Sequence, residues 1–436
     1  MKQMIFNLKT FLFSFLIFCV LFFPNRFLFA DEVLTLQKAV ILGIKQNPEV
    51  LSAQIEKIKE NYEKKEVFSQ FLPQLYVSYS YEREDEGKNA PAYDLYSLGP
   101  SISWNIFNGL QSWYSYKEAE YLVKTQDLRV KKTILELSLQ ITRAYLDYFK
   151  QLALKNAAEK SLKEAELALE LARERYKQGL SPFADVLDAE AKVKNAKFEV
   201  SKYSYTAQIS KATLLTLINY DISKIDEIKL LPPSATFFKL PSLKKCFSIA
   251  LKNRPEVKIA EYQVLAQQEK VKAVKGKFLP SVDVFLSYQK LSNKFRVIPN
   301  DNYQFSAGIK VTFPLFLGGE RYYELQKSRL SLLQKRLEKR QTILEVEKEV
   351  FSAYQNLQKA SYGYKSALSW FKKMQEDYEV ALSKYKAGLI SIVDLTTVLA
   401  RLSEARAELV NSKFDLMQSY YELEKSIGII PGLSHG

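Results

Sequence analysis

The stretch Tyr176-Lys177-Gln178-Gly179-Leu180, followed by Asp185, decides the reading of this chain. It occurs twice. The second copy is Tyr385-Lys386-Ala387-Gly388-Leu389, followed by Asp394, at the same offset throughout (388 − 179 = 394 − 185 = 209). Residues 110–178 contain neither glycine nor proline. Glycine is the residue least penalised in the left-handed conformation that ends a helix, so Gly179 predicts the stop of a very long one. Ser181-Pro182 then offers a capping residue and a proline suited to a first helical position. In the second copy Ser391 is the expected cap, with Asp394 three residues on. The turns are placed at 179–182 and 388–391.

Apolar residues flank each turn in steps of three and four. Leu162, Ala165, Leu169, Ala172 and Tyr176 precede the first turn, and Val186, Ala189, Val193, Ala196 and Val200 follow it. Phe371, Met374, Tyr378, Ala381 and Tyr385 precede the second, and Leu395, Val398, Leu402, Ala405 and Leu409 follow it. This is heptad spacing, so each turn joins the arms of a long antiparallel coiled coil.

The duplication extends further. Asn47-Pro48-Glu49-Val50 matches Arg254-Pro255-Glu256-Val257, and Phe71-Leu72-Pro73 matches Phe278-Leu279-Pro280, both at 207 residues (255 − 48 = 278 − 71 = 207). Each Pro is expected to start a helix that runs to the Phe-Leu-Pro triplet. Beyond it the apolar period changes from helical to two. Leu75, Val77, Tyr79 and Tyr81 alternate with polar residues, as do Leu98, Ile102, Trp104 and Ile106. Val282, Val284, Leu286 and Tyr288, then Tyr303, Phe305, Ile309, Val311 and Phe313, repeat the pattern. Four aromatic-rich strands are expected, at about 74–84, 95–107, 281–290 and 303–313, with one greasy and one wet face, as in a membrane barrel. Four strands cannot close such a barrel, and open edges are not tolerated in lipid, so strands must be pooled among copies of the chain.

The N-terminus carries Lys2 and Lys9, an apolar run over residues 11–23, and Ala30 before Asp31. The run is too short to span a bilayer comfortably and reads as a secretory signal peptide over residues 1–30. The first repeat then spans 31–220, a turn-rich linker 221–241, and the second repeat 242–436. Cys246 is the one cysteine after residue 30, which leaves no internal disulfide. The net charge of +14 is spread over helix faces and interleaved with glutamates, a pattern of solvated surface that does not point to nucleic acid. The single histidine is His435. No nucleophile–base set, metal cluster or phosphate loop stands out, so neither an enzyme nor a cofactor or metal is expected.

In the order and duplication of these motifs the chain resembles the TolC-type outer membrane efflux proteins. The resemblance implies a mainly α fold with a small β part. It also implies a homotrimer with a long α-helical periplasmic barrel and a shared twelve-stranded outer-membrane β-barrel. Implied partners are outer-membrane lipid, a periplasmic adaptor and an inner-membrane pump, in an efflux or type I secretion system. Asp394 falls where the family has a pore-constricting acidic ring. Asp185 and Tyr385 fall where it has a hydrogen-bonded link between tip hairpins. Gly179-Leu180 and Gly388-Leu389 match its adaptor-contacting turns. The family's second ring aspartate is Thr397 here and its tip arginine is Ile390, which leaves Asp188 and Lys386 as candidate gate residues. A periplasmic coiled-coil adaptor or scaffold without a pore is the alternative reading.

Overall fold

The computed structural model describes residues 33–84, 92–233, 242–292, 295 and 302–433. The signal-peptide expectation and His435 lie outside the described residues. Each repeat contributes a short helix, a medium helix, two strands and a long helical hairpin. In the first repeat these are α1 (Leu36–Gln46), α2 (Pro48–Ser69), β1 (Gln74–Glu84), β2 (Tyr93–Asn108), α3 (Gln111–Lys177) and α4 (Phe183–Leu217). In the second they are α5 (Leu243–Asn253), α6 (Pro255–Gly276), β3 (Ser281–Ser292), β4 (Asn302–Thr312), α7 (Glu320–Lys386) and α8 (Ile392–Ser426). The helices α3 and α7 each have 67 residues, about 100 Å at 1.5 Å per residue.

The motif shared by Asn47-Pro48 and Arg254-Pro255 has a structural reason beyond starting a helix. Proline at the first helical position loses no intrahelical bond, since that amide is unpaired anyway. The residue before it is held extended and reaches across to the end of the hairpin's returning arm. Asn47 Nδ2 donates to the Leu217 carbonyl at 2.8 Å. At the equivalent place Arg254 Nη1 donates to the Ser426 carbonyl at 3.1 Å. The end of α4 is thus tied to the start of α2, and the end of α8 to the start of α6. In each repeat two shorter helices, joined end to end, run alongside one long one.

There is no single central core. One cluster lies near the turns, where Ala165, Ala172, Val186 and Ala189 of the first hairpin meet Tyr378, Tyr385, Leu395 and Leu402 of the second. Two others lie at mid-length, around Tyr145, Ile141 and Leu214 and around Cys246, Val350 and Leu423. The small seam residues let helix axes approach closely. At mid-length the Tyr145 hydroxyl bonds the Leu231 carbonyl at 2.5 Å, which pins the chain leaving the first repeat.

The four strands form one antiparallel sheet in the order β1-β2-β3-β4, with a bulge where Asn105 and Phe107 pass β3. Among the described residues no helix lies across it. Val77 and Ile309 are 73% and 70% exposed, and among the described residues no strand pairs with either outer edge. Among the described residues no helix is long and apolar enough to cross a membrane.

The sheet is anchored where α3 begins. A Cβ on Gly276 of α6 would stand 2.3 Å from the Gly109 carbonyl oxygen. Only glycine permits that backbone approach. Gly276→Ala is therefore expected to destabilise the chain by about 1–3 kcal/mol through overpacking. Gly363→Ala, inside α7 with nothing within 4 Å of its added methyl, should instead raise stability by about 0.5–1 kcal/mol. Thermal unfolding of the two variants checks both signs.

Candidate functional site at the hairpin tips

Both turns close in the same way. The Leu180 amide donates to the Arg175 carbonyl at 2.8 Å, and the Gly179 amide to the Tyr176 carbonyl at 2.9 Å. In the second copy Leu389 reaches Lys384 at 2.9 Å, and Gly388 reaches Tyr385 at 3.0 Å. These paired bonds satisfy the last carbonyls of each long helix and require the following residue to be left-handed. Gly179 and Gly388 supply that conformation, with φ of 73° and 78°. The turn leaves Leu180 and Leu389 pointing into solvent, 63% and 73% exposed, beside Phe183. Two apolar knobs thus crown the tip.

The two hairpins differ in how their second arms start. Ser181 does not cap α4, contrary to the sequence expectation. Pro182 is itself the boundary residue, extended at φ −67° and ψ 157°, and the Ser181 hydroxyl is buried with no partner. An extended proline directs the preceding side chain away from the helix amides. In the second hairpin Ser391 does cap. The Asp394 amide donates to its hydroxyl at 3.1 Å, while the Ser391 amide and hydroxyl donate back to Asp394 Oδ2 at 3.0 and 2.8 Å. This reciprocal box starts α8 cleanly.

Those two bonds hold the exposed Asp394 carboxyl below its usual range. Repulsion among several copies of Asp394 around an axis would act in the opposite direction. Ser391→Ala removes the hydroxyl bond and is expected to raise the pH at which Asp394 titrates. Carbon NMR of labelled aspartate side chains reads that shift, and no movement would mean the box contributes nothing.

The expected link between Asp185 and Tyr385 is not made within the chain. Tyr385 is 1% exposed and its hydroxyl is buried without a hydrogen bond. Its ring is occupied instead by Arg175, whose guanidinium sits 5.1 Å from the ring centroid. Arg175 Nη1 also donates to the Tyr385 carbonyl at 2.8 Å. Burial pushes the Tyr385 hydroxyl pKa up, Arg175 pulls it down and Asp185 pushes it up again. Asp185 is close enough to be felt, without bonding. Asp188 and Lys386 are exposed on opposite hairpins and belong to no ion pair among the described residues.

Sequence reasoning missed the residues that join the hairpins. Arg406 on α8 donates to both Glu164 oxygens on α3, at 2.8 and 3.0 Å, and to Ser161 Oγ at 2.9 Å. Ser403 bonds Ser161 at 2.9 Å. Farther up the same seam Lys150 meets Asp415 at 3.0 Å and Arg143 meets Glu422 at 2.7 Å. No local pattern marks these pairs. Arg175 was legible only as a charge one position before the repeated Tyr-Lys. Among the described residues no group of His, Cys, Asp and Glu could hold a metal ion.

The sequence profile of the family described as outer membrane efflux protein matches residues 42–220 and 247–429, one stretch in each repeat. This chain belongs to the outer membrane efflux protein family. It is 24% identical to the outer membrane efflux protein BepC of Brucella suis biovar 1, over 83% of this chain and 78% of BepC. It is 23% identical to the outer membrane protein TolC of Vibrio cholerae, over 83% of each. Among solved structures, the fold is similar to the CmeC outer membrane channel of Campylobacter jejuni. There the TM-score is 0.79 at 18% identity, over 92% of this chain and 87% of CmeC. For the CusC channel the TM-score is 0.80 at 15% identity, over 90% and 92%. The family places the protein in the outer membrane as an efflux channel component, and it is not an enzyme.

Proposed function

We propose that three copies of this efflux protein close head to tail into one hollow tube. Its twelve pooled strands form an outer-membrane pore, and its helices form a duct reaching into the periplasm. The observation that carries this reading is an asymmetry between equivalent helices. α3 is covered on both flanks, by α2 and α4 of its own repeat and by α6 and α8 of the other. Its counterpart α7 is covered along its length by α5, α6 and α8, all of its own repeat. The missing neighbours of α7 are a second copy's α2 and α4, just as the missing neighbour of β4 is a second copy's β1. Gly109 abuts Gly276 within the chain, while its counterpart Gly318 faces open space.

In this duct the tip is the gate. Asp394 lines the constriction, with Asp185, Asp188 and Tyr385 beside it, and energy comes from an inner-membrane pump acting through a periplasmic adaptor. The exposed Leu180 and Leu389 on their glycine turns are apolar contacts for that adaptor. The duct serves a tripartite efflux or type I secretion system. Planar-bilayer recording tests the proposal. The expected result is a cation-blocked pore from a protein that runs as a trimer, with block relieved in Asp394→Ala. A protein that fractionates with the outer membrane yet forms no pore would overturn it.

A further inference from the structure

The helix bounds relate the repeats residue by residue. α2 and α6 differ by 207 positions at both ends, and α3 and α7 by 209. Inside the chain, α3 packs on α6 along a long seam that includes three specific side-chain contacts. Lys270 Nζ lies 3.6 Å from Glu118 Oε1. The rings of Tyr121 and Tyr262 stack with centroids 6.1 Å apart. Lys272 Nζ sits 5.6 Å above the Tyr114 ring. The same offsets carry these positions onto the two uncovered faces, on α7 and α2. The ion pair becomes Lys327 with Glu63 (118 + 209; 270 − 207). The stack becomes Leu330 with Ile55, and the cation–ring contact becomes Tyr323 with Lys65.

All six of these residues are exposed in the single chain, with Leu330, Ile55 and Tyr323 at 66%, 54% and 70%. Such apolar exposure on an otherwise charged helix marks a surface awaiting a partner. Neither Lys327 nor Glu63 belongs to an ion pair among the described residues.

We infer that α7 of one copy docks on α2 of the next in the register of the internal seam but with its polarity reversed. Lys327 faces the partner copy's acidic position, where internally Glu118 faces Lys270. The aromatic stack gives way to an aliphatic pair, and the tyrosine–lysine contact is kept. The reversal selects the order of closure. Pairing α7 with α7 of another copy, or α2 with α2, would bring like charges together, so the charges act against symmetric pairing of identical faces. Head-to-tail closure alone opposes unlike charges at every seam. Lys327 and Glu63 are therefore specificity-determining residues of assembly. This rests on the ring proposed above.

Charge exchange tests it. Lys327→Glu and Glu63→Lys are each expected to lower the association constant of the detergent-purified trimer by about fivefold or more at each seam. The double variant Glu63→Lys/Lys327→Glu should return it to near the wild-type value. In a Cys246→Ala background, Ile55→Cys with Leu330→Cys should give an interchain disulfide and no intrachain one. A monomeric wild-type chain overturns the ring and this pairing with it. A wild-type trimer that ignores both single changes, or a double variant as weak as the two singles combined, overturns the pairing alone.

Discussion

Arg254→Ala is expected to cost the folded chain about 3–5 kcal/mol, because it leaves buried charge without its partner. The side chain is 2% exposed, and every polar edge of its guanidinium is used. Nε and Nη2 donate to the two Glu256 oxygens at 2.9 and 3.0 Å, and Nη1 reaches the Ser426 carbonyl and lies 2.8 Å from Glu349. The arginine thus joins α6, α7 and the end of α8. Thermal or denaturant unfolding measures the loss. Arg254→Met paired with Glu256→Gln should recover much of it, since no carboxylate is then stranded beside an apolar side chain. A loss for Arg254→Ala under 1 kcal/mol, roughly the worth of an exposed pair, would show that the network is solvated.

The same site gives a pH dependence. Burial pushes the Glu256 carboxyl up, and the hydrogen bonds and charge of Arg254 more than offset this, so its pKa ends below the usual value. A carboxyl with a depressed folded-state pKa contributes stability that is fully present above its unfolded pKa of about 4.3. That contribution is lost as the pH falls through the folded value. Glu256→Gln should flatten the acid limb of the stability profile and leave its shape near neutrality unchanged.

Arg406→Ala is expected to have the largest effect on gating. Its side chain is 12% exposed and Glu164 is 22% exposed, so the bidentate pair is shielded from water on both sides. Bonds of this charge-assisted kind contribute about 1.5–3 kcal/mol each. In the proposed duct, opening the tip moves one hairpin against the other, and this pair opposes that motion. Its loss should shift the closed–open balance toward open by roughly ten- to a hundredfold. Adding Arg175→Ala, which frees the Tyr385 carbonyl and ring, should shift it further. Single-channel open probability reads both. Arg406→Lys keeps the charge but not the two-pronged geometry, and should fall between wild type and alanine. Equal open probabilities in all variants would place the closing force elsewhere.

Much of the architecture was legible because its causes are local. Gly179 and Gly388 end helices through their own backbone freedom, whatever surrounds them. The three-and-four spacing from Leu162 to Ala172 and the alternation from Leu75 to Tyr81 each follow from the geometry of one element. The repeated Asn47/Arg254-Pro motif and the Gly-Leu turns exposed the duplication. The failures also have a local cause. Ser181 looked like a cap by residue type, and the extended Pro182 turned it away.

The sequence by itself determined where helices and strands start and stop, and that the chain is built twice, because backbone preference and side-chain periodicity act over a few residues. Only the tertiary structure decided which distant groups meet: Arg406 with Glu164, Arg175 with Tyr385, Arg254 with Ser426, Gly109 against Gly276. Each of those partnerships spans more than a hundred and fifty residues of chain. A contact of that range depends on how two long helices are placed side by side, and no short-range pattern encodes it.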